Sequence, residues 1–320
     1  MKKFKTKYFI FILLSMLIMF SFLLPHFEDL PVGARIAGLN NCATALGDDI
    51  FAYYFNPAAL ENLNKLELGM DYNRLHLGLT DGSNISSSMF LIGKKFKKVG
   101  GFLFGYRQVG LVNYYIEREF SLGFGREINI KDNSINLGTK INILSKEFKK
   151  TLYTENAVNL LTGDFKNGVD PVFSNGYYKM AVGLDFGLIY EFLNNHRIGV
   201  LFENINEPNI GIKEIDVVER IIKFGYLFKY HKIKAISDLS LSNTGIIFAL
   251  SGEREINILH TDKLFLRGGL GFGNRDYSNL SLGISFVYRE LFQFDYGFNY
   301  LLRGLLNLGG SHQISLLIKF

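Results

Sequence analysis

Apolar and polar residues alternate along most of the chain after residue 64, and this alternation constrains the fold more than any other feature. The first such segment, residues 65–73, sets Leu66, Leu68, Met70 and Tyr72 against Lys65, Glu67, Gly69 and Asp71. Successive side chains of a β-strand point to opposite faces, so a period of two predicts strands with one apolar and one polar face. We place strands at residues 65–73, 86–94, 100–108, 113–126, 134–145, 178–191, 197–204, 219–229, 233–241, 245–255, 263–271, 279–287, 292–300 and 312–320.

The character of the two faces predicts a membrane barrel. The polar face is rich in Gly, Ser, Asn and carboxylates, while the apolar face is broad, in a chain with 15% aromatic residues. A soluble sandwich has little use for so wide an aromatic face, whereas a barrel in lipid turns it outward around a polar lumen. Most segments have roughly the 9–11 residues that a tilted strand needs to cross a bilayer. The mean hydropathy of +0.13 is too low for a bundle of membrane helices.

The sequence therefore predicts an all-β protein, a transmembrane antiparallel β-barrel of about 14 strands over residues 65–320. Loop lengths support this architecture. If the first strand runs outward from the periplasm, the even-numbered connections are short, and the odd-numbered ones include the longest, residues 146–177. Short periplasmic turns and longer outside loops are typical of this class. A soluble β-protein that ends in an edge strand is the alternative.

Both ends of the chain carry export features. Four lysines among the first seven residues precede an apolar run over residues 8–24, which predicts a signal peptide at residues 1–27. An uncleaved anchor is the alternative. The last strand ends in Phe320, which resembles the signal that the outer-membrane barrel insertion machinery recognises. These features predict a bacterial outer-membrane location, with outer-membrane lipid and the insertion machinery as partners.

Residues 28–64 fit neither the export signal nor the strand pattern. The segment is rich in small residues, which allow close backbone packing, and we expect it to fold into the lumen as a plug with short helices. A helical pattern over residues 34–46 ends at Gly47. Asn56-Pro57-Ala58 has the pattern of an N-cap followed by proline at the first helical position.

The plug contains the candidate functional residues Arg35, Asp48, Asp49, Asn56, Pro57 and Ala58. We interpret Asp48 and Asp49 as partners of lumen-facing N–H groups or of lumen cations such as Arg35, and not as a catalytic pair. The Asn-Pro-Ala unit fixes the turn from plug to wall. Its functional alternative is a hinge that opens a lateral or periplasmic path.

The order of these plug motifs resembles the N-terminus of the PorV/PorQ-like proteins, within the superfamily of outer-membrane long-chain fatty-acid transporters (FadL-like). The motifs are Gly33-Ala34-Arg35, Ala37-Gly38, Asp48-Asp49 and Asn56-Pro57-Ala58, and the resemblance continues in residues 197–208, 265–270 and 311–316. It implies a fourteen-strand barrel whose N-terminal segment forms a hatch in the lumen. The chain departs from the family in residues 39–42, where a glycine-rich run is usual, and at Ala59, where glycine is common.

Several functions have no support in the sequence. The formal net charge of +5 is scattered and forms no basic patch with interleaved aromatics, so we expect no nucleic-acid partner. The six histidines are dispersed, which predicts no metal site, and we find no cofactor loop and no catalytic set. Cys42 lies well beyond the apolar run and is expected to be a buried plug residue.

Two functions remain, and fold alone does not separate them. The first is a gated channel for hydrophobic or amphipathic small molecules, which is expected to bind such a ligand. The alternative is a barrel component of a protein-secretion or surface-attachment system, as PorV-like proteins are, without small-molecule transport. An outer-membrane enzyme is a third class that no motif supports.

Overall fold

The computed structural model describes residues 30–79, 84–111, 114–130, 133–151, 162, 171–258, 261–274, 277–303 and 309–320. The predicted signal peptide, residues 1–27, lies outside these ranges. In the described part, fourteen antiparallel strands form one closed barrel, and β14 pairs with β1 to complete it. The strands are β1 (Glu67–Leu75), β2 (Ile85–Phe96), β3 (Gly100–Leu111), β4 (Tyr115–Ile130), β5 (Asn133–Phe148), β6 (Tyr178–Phe192), β7 (His196–Glu203), β8 (Ile221–Tyr230), β9 (Ile233–Leu241), β10 (Ile246–Asn257), β11 (Lys263–Gly273), β12 (Ser278–Tyr288), β13 (Phe292–Leu301) and β14 (Ser311–Lys319).

The barrel is apolar outside and polar inside, as the alternation predicted. In β1, Met70 and Tyr72 are 47% and 44% exposed, whereas Asp71 between them is buried. In β13, Phe294 is exposed and Asp295 is buried. A continuous apolar surface of this kind belongs in lipid, because water would not tolerate it.

The connections divide the barrel into two ends. We call the end where β1 begins and β14 ends the turn end, and the opposite end the loop end. Two turn-end hairpins contain consecutive residues with positive φ, Leu193 with Asn194 and Arg289 with Glu290. This backbone matches the twist of tight hairpins. The long connections, such as residues 204–220, lie at the loop end. Which end faces the periplasm stays a prediction.

The N-terminal segment lies inside the barrel and supplies much of its apolar core. It contains α1 (Ala34–Ala37), α2 (Ile50–Phe55) and a 3-10 helix, η1 (Pro57–Asn62). The side chains of Phe51 and Phe55 are almost completely buried. A short 3-10 turn, η2 (Pro171–Phe173), lies in the connection from β5 to β6. No helix of the described ranges is long and apolar enough to cross a membrane.

The plug helices differ from the sequence expectation at one point. The helix predicted over residues 34–46 ends at Ala37, because Asn40 and Asn41 adopt positive φ of 52° and 61°. Asn tolerates this conformation better than most residues. The start of η1 is as predicted, because Asn56 Oδ1 accepts the N–H of Ala58 at 3.1 Å. The helix α2 was not predicted, and Asp49 Oδ1 caps it by accepting the N–H of Ala52 at 3.0 Å.

The hairpin of β4 and β5 is longer than predicted, with 16 residues in each strand. Near its loop end, Arg118 faces outward, and its guanidinium donates to Glu147 at 2.7 Å. An ion pair on the outer face places this level at or beyond the bilayer boundary, where a charge is tolerated.

Phe320 directly follows β14. It is 62% exposed, and its N–H donates to Leu66 O at 2.9 Å. Its role as an insertion signal stays a prediction.

Candidate functional site

The plug contacts the barrel wall backbone to backbone at inward-facing glycines. A Cβ at Gly138 would lie 2.2 Å from Pro57 C, and one at Gly101 would lie 2.0 Å from Leu60 O. No side chain fits at such distances, so glycine is required where the two backbones meet. We call the wall glycines whose Cβ would come within about 3.2 Å of a backbone atom of the plug the glycine ring: Gly101, Gly125, Gly138, Gly187, Gly199, Gly225, Gly283 and Gly297.

Arg35 connects the plug to the wall through a buried charge cluster. Its guanidinium lies 2.6 Å from both Asp48 and Asp49, and 2.9 Å from Glu253 of β10. Asp49 also caps α2, so it links the helix start to Arg35. The side chains of Arg35, Asp49 and Glu253 are at most 6% exposed.

Two wall cations complete this charge cluster. Arg267 of β11 donates to Glu253 at 2.6 Å, and Lys234 of β9 donates to Glu253 at 2.8 Å. Lys234 also reaches Asp48 of the plug at 2.5 Å. Each buried charge therefore has a partner of opposite sign, which is the condition under which buried ions are tolerated.

The electrostatics of the plug residues follow from this arrangement. Burial by itself would raise the pKa of Asp48, but the adjacent Arg35 and Lys234 outweigh it and hold the pKa of this carboxyl well below its usual value. Burial opposes the charge of Arg35, but Asp48, Glu253 and Asp49 raise the pKa of its guanidinium further. Both residues stay charged at neutral pH.

Asp238 of β9 forms a second anchor. Its Oδ2 accepts the N–H groups of Ala43 and Thr44 at 2.9 Å each, and the Thr44 hydroxyl at 2.7 Å. Charge-assisted hydrogen bonds to successive backbone amides are strong and directional. Asn56 Nδ2 donates to Thr44 O at 2.7 Å, which ties the start of η1 to the same segment.

The structure divides the six predicted plug residues into two groups. Arg35, Asp48 and Asp49 meet in the charge cluster, where both carboxylates pair with Arg35. Asn56, Pro57 and Ala58 lie against glycines of β5 and β6, apart from this cluster. Whether either group acts as a gate stays a prediction.

Sequence reasoning missed the wall partners Lys234, Glu253, Arg267 and Asp238. The segments that carry Lys234, Asp238 and Glu253 alternate less clearly than the other strands, and no pattern says which plug residue each wall residue meets. Arg35 and Glu253 are 218 positions apart, so only the closed barrel brings them together.

Cavities lie on both sides of the plug. At the turn end, a cavity of about 520 Å³ is lined by Asp48, Lys234 and Lys319, among others. A cavity of about 510 Å³ adjoins it, and the two form what we call the turn-end vestibule. Toward the loop end, a chamber of about 60 Å³ lies between Phe55 of the plug and Val218 of the connection from β7 to β8. In the part of the chain that the structure describes, no group of three or more His, Cys, Asp or Glu side chains is placed to hold a metal ion.

A closed barrel with an apolar outer face and a polar lumen that contains an N-terminal plug defines the class of plugged membrane β-barrels. Within this class, the chain belongs to the family of type IX secretion system membrane proteins PorP/SprF, whose model matches residues 50–318. The match begins after α1, so it does not include the earliest motifs of the PorV/PorQ-like resemblance. That finer assignment is not confirmed. A comparison with curated proteins finds no match.

Solved structures with a similar fold include a hydrocarbon channel, a FadL homologue and a toluene transporter. The CymD monoaromatic hydrocarbon channel matches with a TM-score of 0.64 and 12% identity, over 92% of this chain and 99% of that chain. A FadL homologue from Pseudomonas aeruginosa matches with a TM-score of 0.58 and 10% identity, over 90% of this chain and 98% of that chain. The toluene transporter TodX of Pseudomonas putida matches with a TM-score of 0.55 and 12% identity, over 92% and 98%.

At these identities the likeness establishes the fold, and the expected FadL-like barrel is confirmed. The family is compatible with the secretion alternative. Fold and family both support an outer-membrane location, and neither group of barrels is a family of enzymes.

Proposed function

We propose that this protein serves type IX protein secretion or surface attachment as an outer-membrane barrel whose plug stays in place. Membership of the PorP/SprF family supports the secretion role. The seating of the plug on the glycine ring is the observation that carries the second half of the proposal. The PorV/PorQ-like motifs of the N-terminus favour the same class of function. Outer-membrane lipid and the insertion machinery are its expected partners.

The cost of moving the plug is the physical argument. Displacement would separate Arg35 from Glu253 and the Thr44 amide from Asp238. Removing one partner of a buried ion pair costs about 3–5 kcal/mol, because the other charge is left uncompensated. A role that leaves the plug seated avoids this cost. The barrel then presents its rim and outer surface to other components of the secretion machinery.

Cys42 permits a direct test of whether the plug must move. It is the only cysteine of the chain, and its Sγ lies 3.4 Å from Ser251 Oγ on β10. Ser251→Cys therefore places a second thiol where a disulfide would tie the plug to the wall. Burial raises the pKa of the Cys42 thiol, so oxidation of the sealed site is slow and the bond should form during folding in an oxidising compartment.

The matched control carries Ser251→Cys together with Cys42→Ser, which removes the bond and keeps the wall substitution. Mass spectrometry of the purified barrel reports whether the disulfide has formed. We expect cells with the tethered barrel to secrete and display type IX cargo as the control cells do. Loss of cargo display in the tethered strain alone would contradict a plug that stays in place.

A gated channel for hydrophobic or amphipathic small molecules is the second candidate. The fold shared with hydrocarbon channels favours it, as does the position of the plug between cavities on its two sides. In this function the junction of α2 and η1 at Asn56 is the hinge. Lipid vesicles with the control barrel should then take up toluene faster than vesicles with the tethered barrel. Equal uptake by both, no faster than by protein-free vesicles, would count against a channel.

A further inference from the structure

Among the described residues, the wall of the barrel has a free strand edge at the loop end. β6 pairs with β7 only from Phe186 to Phe192. Beyond this point Asn204 has a φ of 49°, and its N–H turns away to Asp185 Oδ1 at 2.9 Å. Ile205 donates instead to Leu184 O at 2.9 Å. This β-bulge directs the chain away from β6, which continues to Tyr178 without β7 beside it.

One side chain already occupies part of this edge in the manner of a neighbouring strand. Asn206 Oδ1 accepts the N–H of Leu184 at 3.0 Å, and its Nδ2 donates to Val182 O at 2.7 Å. The amide group thus replaces the peptide that β7 would have supplied. Backbone groups of every second residue point to the same neighbour, so those of Met180 and Tyr178 point to the same open side. No described residue hydrogen-bonds to Met180 or Tyr178 from that side.

This edge lies at the outer limit of the barrel wall. β6 has 15 residues, and crossing a bilayer takes about 9–11. Met180 is in register with Ser145, which is in register with Arg118 of the outward-facing ion pair. The free edge therefore stands at the level where the outer face becomes charged, within reach of molecules outside the membrane.

Side chains behind the edge hold it in place. Ile210 and Val218 of the connection from β7 to β8 are buried against Leu144 of β5, and Ala181 of β6 packs on the same cluster. A pre-ordered edge loses little entropy when a partner strand binds.

We propose that the edge of β6 from Tyr178 to Val182 binds an extended segment of a secreted or surface polypeptide by strand addition. The inference rests on the proposed secretion function, which supplies a polypeptide partner at this surface. Unpaired N–H and C=O groups of a sheet edge are a ready template for a further strand. The exposed side chains of the edge define the chemistry of the partner: it carries apolar side chains beside the outward-facing Met180 and Val182, which are 51% and 49% exposed.

Charge complementarity adds an acidic residue to this description. Lys179 is exposed and is in register with Lys146, which is already paired with Asp216. Lys179 has no ion-pair partner among the described residues. A carboxylate of the added strand would supply one.

Met180→Pro tests the proposal without cutting the barrel wall. Proline removes the N–H that points to the open side, and strand edges tolerate proline at such positions. Met180→Leu is the matched control, because it keeps the N–H and a side chain of similar volume. Both variants are compared with the full chain in lipid nanodiscs, where heat-dependent gel migration reports that the barrel is folded.

The probe is a fluorescent eight-residue peptide of alternating Val and Thr with one Glu, measured by fluorescence anisotropy. We expect Met180→Pro to weaken binding by about tenfold or more and Met180→Leu to leave it unchanged. Two N-methylated versions of the peptide carry the methyl groups on opposite sets of alternate amides. In an added strand only every second amide points to the β6 edge. Strand addition therefore requires that methylation of one set of amides abolishes binding and methylation of the other set does not. Equal binding to both variants, or equal binding by both methylated peptides, would overturn the proposal.

Hydrogen exchange identifies any other occupant of the edge. The amides of Met180 and Val182 should exchange rapidly in the isolated barrel and slowly with the peptide bound. If they are already protected, deletion of residues 152–170 reveals whether a loop of the same chain covers the edge, and dilution reveals whether a second copy does. Either result would overturn the proposal.

Cargo display in cells distinguishes a failure of the docking site from a failure of the proposed secretion function. Met180→Pro should reduce display of type IX cargo at least about tenfold relative to Met180→Leu, with equal amounts of folded barrel. If deletion of the whole barrel stops cargo display and Met180→Pro does not, the edge is not the docking site and the secretion function stands. If deletion of the barrel has no effect on display, the secretion function itself fails.

Discussion

Gly138→Ala is expected to unseat the plug. A Cβ at this position would lie 2.2 Å from Pro57 C, 2.3 Å from Ala58 N and 2.4 Å from Pro57 O. Ordinary contact begins at 3.4 Å, so the plug backbone would have to move by about 1 Å. Overpacking of a core costs about 1–3 kcal/mol, and we expect the upper end because all three neighbours are backbone atoms. A cost of about 3 kcal/mol corresponds to a change of roughly a hundredfold in the population of unseated plug.

Limited proteolysis of the purified full-length barrel measures this change, with the cleavage sites in residues 30–64 read by mass spectrometry. Two glycines supply graded controls. A Cβ at Gly123 would have the end of the Leu60 side chain as its nearest atom at 3.1 Å, and one at the outward-facing Gly252 would meet its nearest atom at 3.8 Å. Cleavage should increase from Gly252→Ala through Gly123→Ala to Gly138→Ala.

If plugs in the Gly138→Ala and Gly252→Ala barrels resist protease equally, while gel migration shows both barrels folded, then close backbone contact does not seat the plug.

Three further predictions follow from the plug contacts and the chain end. Glu253→Gln removes the buried carboxylate that Arg35, Lys234 and Arg267 share and should cost about 3–5 kcal/mol in barrel unfolding, whereas Glu255→Gln, which alters a partly exposed pair at 3.9 Å, should cost less than about 1 kcal/mol. Because the pKa of Asp48 is lowered in the folded protein, its stabilising effect is complete above the unfolded pKa and is lost as pH falls through the folded value. Protease cleavage of the plug should therefore rise below about pH 4, and Asp48→Asn should flatten that dependence. Removal of Phe320 should lower the amount of folded barrel in outer-membrane fractions relative to Phe320→Tyr, since this residue is the expected insertion signal.

Much of the fold could be predicted because the information is local. The alternation around Met70 and Asp71 assigns each side chain to one face of a strand. The same period-two pattern, followed along the chain, places the fourteen strands. The Asn56 cap could also be predicted, since a capping side chain and the N–H that donates to it lie within three residues. The end of α1 was missed because two consecutive asparagines with positive φ have no comparable pattern.

The partners of the plug could not be predicted, because each contact joins distant parts of the chain. Nothing near Arg35 in the sequence points to Glu253, and nothing near Thr44 points to Asp238. The bulge at Asn204 is equally hidden, since its cause is the hydrogen bond from its N–H to Asp185 on the neighbouring strand. The free edge of β6 begins at this bulge.

The amino-acid sequence by itself determined the class of this protein. A period of two over fourteen segments decides which face meets lipid, and a small-residue segment ahead of them provides a plug. Only the tertiary structure decided how the plug is held and where the wall stays open. Barrel closure fixes the strand register, and the register determines which glycines, carboxylates and cations meet Pro57, Thr44 and Arg35. These contacts depend on distances between strands that are far apart in the chain, and no local pattern encodes them.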